Sequence, residues 1–341
     1  MRCEPSVNRE RLIAVVRAEY QIPAEKLDFV PVGFDAACYV LHCAGGQRYF
    51  LKLWPELRLG QAAAHRRYGS LTLARALCDR GLLRRVPSPI PAQTGALWAD
   101  LSEGPFALFP LLPGTAAPRR MPVALRDEFA RTIAVIHRAT PALADVLPPR
   151  ETFAIPDEAG LNHRLAVVAR IGSERRPGLR ALRRLLLPRE AEIRAQYARL
   201  RELQTTVRRS GGPFVLCHSD LGGDNMLVDE DGSLSVLDWD FASVAPPEFD
   251  LWSLLPHGFA QALAVYREAG GAGPLQLDRF AFCMLRRYLG DMLARLERLL
   301  DGGTAAASEE KDEELLRGME AYGFVLWATL DATLSEIAAA L

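Results

Sequence analysis

Five side chains between positions 218 and 240 carry the clearest chemistry in this sequence. They are His218, Asp220, Asn225, Asp238 and Asp240, in the pattern His-x-Asp-x-x-x-x-Asn followed, after an intervening apolar run, by Asp-Trp-Asp. A carboxylate and an amide five residues apart on one short loop, with a second carboxylate delivered by the neighbouring run, can surround a hydroxyl nucleophile and a hard cation. Oxygen ligands of this kind suit Mg2+, whereas thiolates and imidazoles do not. Such a cation would sit on nucleotide phosphates, with Asp220 orienting the attacking hydroxyl and accepting its proton. The pattern points to phosphoryl transfer.

These groups need a scaffold, and the chain around them reads as a hairpin over 214–241. Its apolar runs flank Asp229-Glu-Asp-Gly232, a segment of the kind that turns a hairpin. Earlier in the chain, apolar residues at helical spacing (Val7, Leu12, Ile13, Val16, Tyr20) predict a helix over 7–20 that lids a sheet, with Ser6 as its N-cap and Pro23 beyond its end. From Leu27 to Trp54 the period becomes that of strands. Leu27–Gly33, Cys38–Cys43 and Arg48–Trp54 predict an antiparallel meander turning at Gly45-Gly46, and further strands are expected around 96–101 and 106–112. An Ala/Leu/Arg-rich helix over 60–80 separates them. The Pro-rich stretch 86–91 reads as a rigid connector. Pro113-Gly-Thr-Ala-Ala-Pro118 disfavours regular structure, so the boundary is set there: a nucleotide-binding β-sheet lobe over 1–112 and a helical lobe over 113–341. Helices are expected over 123–139, 164–209, 259–269, 277–300 and 312–340.

Composition narrows the partners. A 341-residue chain that is 49% hydrophobic can bury two cores, and a formal charge of −1 gives no global basic field for nucleic acid. Residues 164–209 hold 13 arginines against 4 glutamates, a run read as a solvated helix face. Six scattered cysteines without a C-x-x-C pair suit free thiols in a reducing compartment. The sequence contains neither a signal-like start nor a run of membrane-spanning length, so a cytoplasmic protein without a membrane partner is expected. His65 and His163 lack partners at metal-ligand spacing, which argues against zinc. Only three lysines occur, Lys26, Lys52 and Lys311, and 38 of the 41 basic residues are arginine. Lys52, inside a predicted strand, therefore invites a specific role.

The His218–Asn225 pattern, Asp238-Trp-Asp240, Phe50-Leu-Lys52-Leu, Phe109-Pro-Leu-Leu-Pro-Gly114, Ile136-His137 and Ala-Pro-Pro-Glu-Phe-Asp250-Leu together resemble the aminoglycoside phosphotransferase family. Their wording is nearest to the spectinomycin (aminocyclitol) phosphotransferase-like members. The resemblance covers nearly the whole chain. It implies an α+β, bilobal protein-kinase-like fold and an enzyme that uses ATP, with GTP as the alternative nucleotide, and Mg2+ to phosphorylate a small-molecule alcohol. By the same resemblance Asp220 is the catalytic base, and Asn225 and Asp238 are the metal ligands. Lys52 and the loop at Gly33 meet the phosphates, and Phe109, Pro110, Leu111 and Leu112 offer backbone groups to adenine. His218 and Asp250 are scaffold residues, and His137 makes a core contact.

The acceptor is less legible. A hydroxylated, cationic aminoglycoside or aminocyclitol would meet Asp224, Asp240, Glu248 and the acidic 309–314 segment. An endogenous amino alcohol, homoserine-like compound or sugar is the alternative, followed by a nucleotide-binding pseudokinase. One departure stands out: the family pairs the strand lysine with a helix carboxylate, yet 61–78 contains no Asp or Glu. Either Glu56 takes that role, or another group such as Asp238 holds Lys52, or the lysine is misplaced and the activity weak.

Overall fold

The computed structural model describes residues 4–32, 36–55, 61–83, 85–173, 175–301 and 309–341. Gly33 and Glu56 lie outside these, as does the segment 302–308. Contacts gather the chain into two compact units. The first comprises Met1–Arg150, Phe214–Ala245 and Ser253–Ala272, and the second Glu151–Pro213, Pro246–Trp252 and Gly273–Leu341.

The first unit is built on five antiparallel strands, β1 (Ala24–Val30), β2 (Ala37–Cys43), β3 (Arg48–Leu53), β4 (Ala99–Leu101) and β5 (Gly104–Pro110), in the order β1-β2-β3-β5-β4. The expected meander is β1-β2-β3. Because side chains alternate across a strand, the two faces divide cleanly. Tyr39, Leu41, Leu51, Leu53, Phe106 and Leu108 bury under helix α1 (Arg9–Tyr20), which contributes Leu12, Val16 and Tyr20. Each fully buried Leu or Val of this layer adds about 1.5–3 kcal/mol. The N-cap of α1 is Asn8, not Ser6: its Oδ1 accepts the Arg11 N–H at 3.0 Å.

The opposite face receives Cys38, Lys52 and Ala107, which are neighbours in register across β2, β3 and β5. There Cys38, Ala107, Trp54 and Phe109 pack against Leu71 of helix α2 (Gln61–Asp79). Lys52 therefore lies on the face opposite to its neighbours in the strand, Leu51 and Leu53, which are buried under α1.

The segment 113–118, expected to be irregular, contains a two-residue strand, β6 (Thr115–Ala116), paired with Val228 and Leu227. Gly114 makes this possible. It has φ +124°, and a Cβ there would lie 2.7 Å from the Val228 carbonyl oxygen. Pro and Gly read as breakers in the sequence, while the backbone uses Gly114 for close approach.

Strand β7 (Val215–Cys217) leads to the loop of the predicted motif, β8 (Met226–Val228) and β9 (Leu234–Val236) form the hairpin, and β10 (Ser243–Ala245) returns to pair with β7. Asp229 shapes the hairpin turn: its Oδ1 accepts the N–H groups of Asp231 and Ser233 at 3.1 and 2.9 Å, and Arg85 pairs with its other oxygen. Helix α3 (Val123–Arg138) packs on β7 and on the helix Phe259–Glu268.

The second unit is helical. Glu158–Ala169, Pro177–Leu186, Glu190–Arg209, Glu309–Met319 and Leu330–Ala340 pack against the 25-residue helix Leu277–Asp301. Its arginines largely face outward or pair, as in Arg164–Glu297, Arg201–Glu158 and Arg199–Asp331. Among the described residues no helix is long and apolar enough to cross a membrane.

Candidate active site

The loop between β7 and β8 is held from inside. His218 is fully buried, and its Nε2 lies 2.7 Å from the Leu237 carbonyl while its Nδ1 accepts the Asp220 N–H at 3.3 Å. One nitrogen donating and the other accepting describes a neutral imidazole. Its ring meets Trp239 edge-on at 4.8 Å, and the Trp239 indole N–H donates to the Val236 carbonyl at 3.3 Å. A buried, doubly bonded histidine is a strut for the loop. His137 is also buried, with Nδ1 2.8 Å from the Tyr266 hydroxyl.

On this frame Asn225 closes over Asp220. Its Nδ2 donates to Asp220 Oδ2 at 2.8 Å and to the Asp220 carbonyl at 2.9 Å, while the Asn225 carbonyl accepts the Leu237 N–H at 2.8 Å. With both amide hydrogens committed, the side-chain oxygen of Asn225 is the atom left to meet a cation. That last bond also ties the loop to the end of β9, where Asp238 begins. Asp238 has φ +59° and ψ +70°, a left-handed conformation uncommon for a residue with a Cβ. Such backbone costs about 1–3 kcal/mol and is met at functional sites.

Asp238 meets Lys52. The ammonium of Lys52 lies 2.8 Å from Asp238 Oδ1 and 3.9 Å from Asp240 Oδ2, with the Lys52 side chain 15% exposed. Burial alone would lower the lysine's pKa, but the charges of Asp238 and Asp240 and the hydrogen bond to Asp238 outweigh it and raise the pKa. Lys52 therefore stays an ammonium. The structure thus answers the missing helix carboxylate with Asp238, one of the partners the sequence allowed. Helix α2 does reach the cluster, through a hydroxyl: Ser70 Oγ donates to Asp240 Oδ1 at 2.8 Å. Sequence reasoning missed Ser70, whose signal was a small polar residue in an Ala/Leu/Arg-rich helix.

The other expected residues divide. Phe109 is buried beside Leu71, and Pro110, Leu111 and Leu112 are half-buried where β5 ends. Pro110 has no N–H, so of the backbone polar groups it can offer only its carbonyl. Asp224 lies in the turn Gly223–Asn225, ahead of β8. Glu248 is corrected. It is fully buried in the second unit, on the short helix Glu248–Leu251 whose four residues all face inward, and its Oε1 accepts the Gln276 N–H at 2.7 Å. Desolvation raises its pKa. An interior carboxyl already engaged with the backbone does not suit a surface for a cationic acceptor. Asp250, on the same helix, is buried as well.

Solved structures of this fold are similar over nearly the whole chain. A spectinomycin phosphotransferase, APH(9)-Ia, in complex with ADP and spectinomycin has a TM-score of 0.74 at 17% identity, covering 96% of this chain and 99% of that one. An aminoglycoside phosphotransferase from Alicyclobacillus acidocaldarius subsp. acidocaldarius has a TM-score of 0.58 at 15% identity, covering 98% and 97%. A microcompartment-associated aminopropanol kinase has a TM-score of 0.60 at 14% identity, covering 95% and 98%. They share the α+β, protein-kinase-like fold. The phosphotransferase enzyme family (APH) matches residues 26–285, a span that holds Lys52, the Asp220–Asn225 loop and the Asp238–Asp240 turn. The chain belongs to this family and is a small-molecule kinase with a hydroxyl group as acceptor.

Proposed function

We propose that the protein transfers the γ-phosphoryl group of ATP, bound with Mg2+, to a hydroxyl of an aminoglycoside- or aminocyclitol-like molecule. One observation carries the reading: Lys52 and Asp238, 186 positions apart, meet at 2.8 Å, with Asp238 joined through Leu237 to the Asn225–Asp220 pair. A phosphate-binding lysine, two oxygen ligands and a base thus belong to one connected cluster.

In this reading Asp220, oriented by Asn225, takes the proton of the acceptor hydroxyl as its oxygen bonds to the γ-phosphorus. The bond to the β,γ-bridging oxygen breaks, and ADP leaves. Lys52 meets the α- and β-phosphates, Phe109–Leu112 offer backbone groups to adenine, and the loop at Gly33 covers the phosphates. The oxygens of Asn225 and Asp238 fit a hard cation and would hold Mg2+. That ion, when bound, offsets the charge that builds on the β- and γ-phosphate oxygens. Asp224 is the acidic group kept for a cationic acceptor. The ATP supply places the reaction in the cytoplasm.

The likeness to a spectinomycin phosphotransferase supports an aminocyclitol, and that to an aminopropanol kinase keeps an amino alcohol as the second reading. Incubation with ATP, Mg2+ and a panel of aminocyclitols, aminoglycosides, amino alcohols and sugars, read by mass spectrometry, tests both. Phosphorylated aminocyclitol or aminoglycoside is the expected product, and resistance in a susceptible host should require an intact Asp220. Product from an amino alcohol or sugar alone would replace the first reading with the second. GTP in place of ATP tests the nucleotide.

A further inference from the structure

The proposed reaction gives Asp238 two tasks. It is the partner of Lys52 at 2.8 Å, and it is also a ligand of the cation that accompanies the nucleotide. A carboxylate drawn to a divalent ion holds an ammonium less strongly, because the ion cancels the charge that attracted it. Lys52, facing the phosphates, then needs a second protein anion to aim it, and no acidic side chain of 61–78 supplies it.

Asp240 is placed to do so. Its Oδ2 lies 3.9 Å from the Lys52 ammonium, about 1 Å beyond the length of a charge-assisted hydrogen bond, a gap that a small side-chain adjustment closes. Its Oδ1 is fixed by the hydroxyl of Ser70, a nearly buried residue of α2. The turn Trp239–Phe241 that carries Asp240 packs on the same helix. Asp240 is 17% exposed, enclosed enough for its charge to act on the lysine.

We propose that Asp240, braced by Ser70, is the positioning residue for Lys52 in the nucleotide-bound enzyme. The anion comes from the turn after the hairpin, and α2 contributes a neutral hydroxyl that aims it. The position of α2 is thereby coupled to the phosphate-binding lysine through Ser70 and Asp240. This assignment replaces the expectation that Asp240 serves the acceptor, and it rests on the reading of Lys52 as a phosphate ligand.

The test is calorimetric binding of two probes in the presence of Mg2+, AMP-PNP and AMP, to the intact protein and its variants. AMP-PNP presents the phosphates that Lys52 meets beyond the α position; AMP lacks them. Asp240→Asn should weaken AMP-PNP about tenfold and Ser70→Ala about threefold, with a clearly smaller loss for AMP in both, since AMP keeps only the α-phosphate. Asp240→Glu and Ser70→Thr should restore most of the loss, which an unfolded or merely loosened protein would not show. The double variant should bind AMP-PNP no worse than Asp240→Asn alone, because Ser70 acts through the carboxylate. Wild-type binding with Asp240→Asn unchanged, or with equal losses for both probes, overturns the inference and leaves the proposed function standing. An absence of AMP-PNP binding by the wild type overturns both.

Discussion

Asp220 and Lys52 are held by different kinds of neighbour, and their substitutions should therefore fail differently. Asp220 is oriented by a neutral amide, so Asp220→Ala should lower kcat by about 10²–10⁴ while leaving nucleotide affinity near the wild-type value. Steady-state kinetics with an acceptor that the wild type phosphorylates check this, and a loss seen only in nucleotide KM would remove Asp220 from the role of base. Lys52→Met removes the ammonium facing Asp238 and Asp240. It should raise nucleotide KM more than acceptor KM. At this scale the sequence singled out Asp220, Asn225, Asp238 and Lys52 by residue type and spacing, and the structure joins them in one hydrogen-bonded cluster. The partners were not. Ser70 and Asp240 meet across 170 positions, and no local pattern marks a hydroxyl that braces a distant carboxylate. Glu248 misled for a related reason, since an acidic residue after two prolines looks exposed until the helix it begins is seen to be buried on every side.

The elements were legible where their period was long. The alternation of β2 and β3 and the spacing of α1 gave the meander and its lid within a few residues. Some short pieces escaped, because two- or three-residue strands such as β6 and β10 carry no period and exist only through their partners. Gly114 is the residue on which β6 depends. Gly114→Ala adds a Cβ against the Val228 carbonyl in a left-handed backbone and should cost about 1–3 kcal/mol, read as a lower urea midpoint. An unchanged midpoint would show that β6 tolerates the added atom by shifting. In the second unit, burial raises the pKa of Glu248 above its ordinary 4.5. The folded state then binds more protons than the unfolded chain between 4.5 and the raised value, so stability falls as pH rises through that window. Every tenfold difference in proton affinity between the folded and unfolded chain is worth about 1.4 kcal/mol. Glu248→Gln keeps a carbonyl oxygen for the Gln276 N–H and should flatten this decline. Parallel slopes for wild type and variant, in urea melts taken across the window, would contradict it.

At the scale of the whole molecule, the fold and the family come from the same span of chain, and the reaction follows from both. The acceptor is a separate question. The groups proposed for phosphoryl transfer converge from β3, the β7–β8 loop and the end of β9, whereas no comparable sequence pattern marks the choice of acceptor. Mg·ATP binding should also stabilise the protein, by about 2.7 kcal/mol at a nucleotide concentration a hundredfold above Kd. The most direct test of the central claim is acceptor phosphorylation by wild type and Asp220→Asn, with ATP and Mg2+ and the same acceptor panel. The account predicts ADP and a phosphorylated hydroxyl from the wild type, both lost on removing Mg2+ and reduced at least about a hundredfold in Asp220→Asn. Equal product from wild type and variant, or turnover indifferent to the metal, would contradict it.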